Sequence, residues 1–94
     1  MSAVHDLHEL VRQAPVRLIG ARIRRARKAS GLSHDRLGEQ VGTSRQHLIR
    51  LEKGLHRPRP EMVSRIAEAT GRPVDYFLVE EAGEPNPFPD EQAA

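Results

Sequence analysis

The feature that most restricts this chain is a single glycine placed between two short amphipathic segments within His34–Gly54, HDRLGEQVGTSRQHLIRLEKG. Leu37 and Val41 form the apolar side of the first segment, and Leu48 and Leu51 that of the second. Three or four residues around Gly42 join them. That is too few for an antiparallel hairpin, so the two helices must cross at a steep angle. Gly42 suits a backbone position with positive φ, which other residues enter at a cost. Gly38, one turn earlier, leaves room for the following helix to come close.

The flanking sequence supplies more helices. Residues 2–14 have Ser2 as N-cap, Val4, Leu7 and Val11 on one side, and Pro15 as a stop. Residues 17–30 carry the stripe Ile19, Ile23 and Ala26 and end at Gly31. Ser33 caps the next helix, with Asp35 in its first turn. Thr43 and Gln46 have the T-x-x-Q spacing of a capping box, which predicts a helix running through Glu52. LHRPRP reads as a loop, and Pro60 opens another helix with Met62, Val63, Ile66, Ala67 and Thr70 inside and Gly71 at its end. A short turn, Val74 to Val79, follows Pro73. No segment has strand periodicity, so the expected fold is all-α. Its parts are an N-terminal segment 1–15, a domain 16–79 and an acidic segment 80–94.

Charge is unevenly placed. Between Arg12 and Arg59 there are thirteen Arg or Lys against three acids, and from Pro60 onward eight acids against two arginines. This asymmetry reads as a basic surface followed by an acidic extension. The latter, EEAGEPNPFPDEQAA, has the composition of a disordered segment, with Phe88 as its one large apolar residue. The chain has no cysteine, which removes disulfides and thiolate metal sites. It also lacks a membrane-length apolar run and a secretory leader pattern, so a cytoplasmic protein is expected.

Projected at 100° per residue, the helix after Gly42 turns Ser44, Leu48 and Leu51 inward. Gln46, Ile49, Arg50 and Lys53 point outward, with Arg45 on the first turn. Arg pairs bidentately with guanine and Gln with adenine in the major groove of duplex DNA, and an apolar Ile49 can meet a thymine methyl.

Taken with GARIRRARKASGLS before it and RPRPEMVSRIAEATG after it, the segment resembles the Cro/repressor class of helix-turn-helix proteins, the xenobiotic-response-element family. The likeness covers roughly Ile19 to Leu78. It implies a five-helix lambda-repressor-like domain, here with an extra N-terminal helical segment. Base contacts would fall on Arg45, Gln46 and Arg50, and phosphate contacts on His34, Ser44, Arg57 and Arg59, with His47 and Lys53 beside them. It further implies a structural ion pair, Arg27–Glu52, and core or dimer-interface roles for Tyr76, Phe77 and Leu78. Three positions depart from the usual pattern: His34 stands where Gln is common, Gly38 where Ala is frequent, and Ile49 where a polar residue is usual.

The expected function is therefore a sequence-specific transcriptional regulator. It would repress by binding a pseudo-palindromic operator in double-stranded DNA as a homodimer, in the cytoplasm and associated with the nucleoid. The alternative is an antitoxin or adaptor that binds a protein partner through its termini. No nucleophile–base constellation or phosphate-cradling glycine loop suggests an enzyme, and no cofactor is expected. His5 and His8 form an H-x-x-H pair without the four ligands of structural zinc, so no metal is expected either.

Overall fold

The computed structural model describes residues 3–80, with side chains from residue 7 onward. The expected Ser2 cap, the side chains of Val4 and His5, and the acidic segment beyond residue 80 lie outside the described residues. Six helices follow one another: α1 (Ala3–Gln13), α2 (Val16–Ala29), α3 (His34–Val41), α4 (Arg45–Glu52), α5 (Pro60–Thr70) and α6 (Asp75–Leu78). The fold is all-helical, as expected. Among the described residues no helix is long and apolar enough to cross a membrane.

Local chemistry sets the boundaries. Pro15 precedes α2 in an extended conformation, and Pro60 occupies the first turn of α5, where a missing N–H costs nothing. The Ser33 hydroxyl accepts from the Arg36 backbone N–H at 3.0 Å, capping α3. Gly42 closes α3 with φ +79°, and the chain turns there into α4. One boundary differs from expectation. The N-cap of α4 is Ser44, whose hydroxyl accepts from His47 N–H at 3.1 Å, so Thr43 is not the capping residue. Ser44 is consequently exposed rather than packed inward beside Leu48 and Leu51.

One core joins all six helices. Ile19, Ile23 and Ala26 of α2 meet Leu37 and Val41 of α3, Leu48 and Leu51 of α4, Val63, Ile66 and Ala67 of α5, and Phe77 and Leu78 of α6. Val11 of α1 and Ala14 just after it are buried in the same cluster, so the segment expected to stand apart from the domain contributes to its interior. No polar or charged residue is fully buried among the described residues. Burial at this density is the main stabilising term, at about 25 cal/mol per Å² of apolar surface.

Candidate nucleic-acid interface

The inner side of α4 is held against α2 at close range. Gly20 sits in the middle of α2, and a Cβ there would strike the Leu51 carbonyl oxygen and lie 2.7 Å from that of Glu52. Only glycine permits this approach. Just beyond it, Arg27 grips Glu52 side-on with one guanidinium edge, Nε to Oε2 at 2.7 Å and Nη2 to Oε1 at 3.3 Å. Arg27 Nη1 also donates to the Leu32 carbonyl at 3.0 Å, tying in the α2–α3 turn. His34 Nε2 lies 3.0 Å from Glu52 Oε1. The Arg27 and Glu52 side chains are 11% and 6% exposed, so this is a nearly dry, geometrically complete cluster. It fixes the end of α4 relative to α2 and the start of α3.

The outer side of α4 is the reverse. Arg45, Gln46, Arg50 and Lys53 are exposed, and none of their side chains has a hydrogen bond or ion pair with another described residue. Ile49 is half-buried between them. At one flank, a hollow is lined by His47 of α4, by His56, Arg57, Pro58 and Arg59 of the connecting loop, and by Glu61, Met62 and Arg65 of α5. The His47 and His56 rings lie 6.2 Å apart across it. At the other flank, Arg27, Ser33, His34, Asp35 and Arg45 line a second hollow, where α3 and α4 both begin. First-turn N–H groups at such helix starts favour anions. A ridge of free guanidinium and amide groups between two basic flanks suits a polyanion with hydrogen-bonding edges in a groove.

Several expected roles look different once placed. Arg57 directs Nη1 to the carbonyls of Val11, at 2.7 Å, and Ala14, at the end of α1. It is therefore a brace between the loop and α1, not an unengaged cation. His34 spends one ring nitrogen on Glu52, which leaves the backbone N–H groups of the α3 start as the more available anion donors. Ser44 accepts from a backbone N–H and keeps its hydroxyl proton for a further partner. Phe77 is fully buried and Leu78 nearly so, which commits both to the interior of this chain and leaves them no surface for an interface. Tyr76 alone of the three is partly exposed.

Sequence reasoning passed over two residues. Gly20 interrupts an otherwise good helix, and that break in propensity was the available signal. Arg65 stands among inward-facing Met62 and Ile66 at the spacing of the opposite face of α5, which carries it into the loop hollow.

Comparison with known proteins agrees with this geometry. A helix-turn-helix family profile matches residues 23–77. An uncharacterised HTH-type transcriptional regulator of Methanothermobacter thermautotrophicus is 44% identical over 63 residues, covering 65% of this chain and 91% of the relative. One from Rickettsia conorii is 39% identical over 71 residues, covering 73% of this chain. This chain spans only 57% of that relative's length. Among solved structures, the clp gene regulator ClgR of Corynebacterium glutamicum superposes with a TM-score of 0.65 at 27% identity, covering 67% of each chain. The SinR protein/SinI protein complex gives 0.64 at 24% identity, over 80% of this chain and 74% of that one, a likeness of fold. These similarities join a non-enzymatic kind of function to a fold and a surface that fit it, and the chain belongs to the Cro/repressor-type helix-turn-helix family of DNA-binding transcriptional regulators.

Proposed function

We propose that this regulator is a repressor that binds a pseudo-palindromic operator as a dimer, with α4 of each subunit in the major groove. The observation that carries the reading is the free outer face of α4. Arg45 and Arg50 would pair with guanine O6/N7 and Gln46 with adenine N6/N7, while Ile49 meets a thymine methyl. Ser44, His47, Lys53 and Arg59 would hold the backbone phosphates, joined by Arg65 and by the start of α3 at His34. In such dimers the half-site centres lie about 34–36 Å apart, one turn of duplex. Leu55, 65% exposed, and Val79, 38% exposed, are the large apolar residues available for subunit contact among those described. The proposed setting is the cytoplasm, on nucleoid DNA, where occupancy of a promoter blocks transcription.

Selection from random duplexes, followed by footprinting, tests the reading in one step. The expected outcome is an enriched two-fold symmetric site with half-sites one turn apart. Arg45→Ala and Arg50→Ala should each weaken binding to it by about 1–3 kcal/mol and relax base preference at one position. Enrichment of no sequence, or a loss in both variants that is equal on all duplexes, overturns base readout by α4.

A further inference from the structure

The His34 ring stands at the mouth of the Arg27–Glu52 cluster, its side chain 24% exposed against 11% and 6% for the two partners inside. Its Nε2 lies 3.0 Å from Glu52 Oε1. Arg27 already donates twice to that carboxylate, whose oxygens act as acceptors only. Nε2 must therefore carry a hydrogen, whatever the charge of the ring. Nδ1 has no hydrogen bond with another described residue, and it is not among the buried polar atoms left without one, so it opens toward solvent. Its character is then set by charge alone: a bare lone pair in the neutral ring, a donor in the imidazolium. The ring lines the hollow where α3 and α4 begin, together with Arg27, Ser33, Asp35 and the unengaged Arg45.

The charged groups around the ring pull in opposite directions. Glu52 of α4 and Asp35 of α3 favour its positive form, whereas Arg27 of α2, Arg45 of α4 and the positive end of the α3 dipole oppose it. A phosphodiester brought to the hollow meets Arg45 as a partner, but a neutral His34 turns a lone pair against its oxygens. It also adds one negative charge beside the ring. Both effects select the imidazolium. We propose that DNA binding at this hollow takes up a proton. In the complex His34 is charged, with Nε2–H on Glu52 and Nδ1–H on a backbone phosphate, so one ring ties that phosphate to the Arg27–Glu52 pair. The inference rests on the reading above, in which α4 enters the groove and brings the start of α3 to the DNA backbone. Because the complex holds more protons than the free partners, affinity rises as pH falls through histidine's ordinary range, about 6.5, and levels off on either side.

The probe is a duplex of arbitrary sequence at low salt, since phosphate contacts do not depend on base sequence. Its affinity for the full chain is measured across the histidine range. Log K should fall with rising pH, with a slope approaching about one from this position. His34→Gln supplies two neutral N–H donors, enough for Glu52 and the phosphate together. It should bind at neutral pH at least as well as the parent and lose that slope. The His47→Gln, His56→Gln double variant should bind more weakly and keep it. A slope unchanged in His34→Gln, or one lost only in the double variant, overturns the proposal and moves the proton to the loop hollow. A second measurement needs no variant: in nitrogen-15 NMR at neutral pH, saturating duplex should move the His34 Nδ1 signal from that of a bare nitrogen to that of a protonated one. An unmoved signal overturns the proposal. Duplex binding that is flat with pH overturns it and leaves the reading of α4 intact, whereas no binding to any duplex ends both.

Discussion

The two sides of α4 differ in almost every respect except sequence position. Its inner side ends in Glu52, held by Arg27 and His34 in a nearly dry cluster, and rests on the bare backbone of Gly20. Its outer side carries Arg45, Gln46 and Arg50 with no described partner. Polar groups that meet one another inside the fold are unavailable to a ligand, and groups left unmet at the surface contribute little to stability. On the function proposed above, fold and recognition are divided between two faces only one helix diameter apart. This makes a sharp claim: inner-side changes should unfold the protein without altering base preference, and outer-side changes should do the opposite.

The largest expected effect is on the inner side. Glu52→Ala strands the Arg27 guanidinium, and breaking a buried pair from one end costs about 3–5 kcal/mol. For a domain of this size each kcal/mol lowers the melting temperature by roughly 4–8 °C, so calorimetry should register a fall of more than about 12 °C. Glu52→Gln, which keeps the shape and one acceptor, should fall between this and the parent. A melting temperature unmoved in Glu52→Ala would mean that the cluster does not lock α4 to α2.

Gly20→Ala comes next. Its methyl has to displace the carbonyls of Leu51 and Glu52, and overpacking of this kind costs about 1–3 kcal/mol, more than the gain of up to about 1 kcal/mol in helix propensity. Denaturant titration should show a lower midpoint. A stabilised variant would mean that α2 and α4 can separate freely, and the contrast between the two sides of α4 would then lose its basis.

How much of this was legible beforehand depends on the range of the interaction that decides each point. Gly42, Pro60 and Gly71 act within a turn, and the sequence placed the helix ends they define. The outward set Arg45, Gln46, Ile49 and Arg50 follows from helical periodicity, which survives translation into structure because the helix is regular. The Ser44 cap was missed because Thr43 and Ser44 are adjacent and chemically alike; the path of the turn after Gly42 chooses between them. Phe77 stayed open between core and interface because an apolar triplet on a short helix looks the same whether it faces its own core or a second subunit; burial in this chain decides for the core. The engagement of His34 with Glu52 and of Arg57 with α1 depends on contacts 18 to 46 residues apart, which no local pattern encodes.

Arg57 and Arg59 provide the smallest and most discriminating comparison. They sit two residues apart in one loop and carry the same charge, yet only Arg57 is tied to the carbonyls of Val11 and Ala14. Arg57→Ala should release the end of α1. That should lower stability by about 1 kcal/mol, because hydrogen bonds from a largely exposed guanidinium are partly replaced by water. Amide exchange through α1 should speed up as well. Arg57→Lys restores the charge but not the two-carbonyl grip, so it should share the stability loss while leaving the salt dependence of DNA binding as in the parent. Arg59→Ala should leave melting unchanged and weaken binding alike on all sequences, with the slope of log K against log salt reduced by about one. If Arg57→Ala instead melts like the parent and loses salt dependence as Arg59→Ala does, the bond to α1 is incidental and both arginines serve the phosphates. The inner–outer division would then end at α4 and would not extend into the loop that follows it.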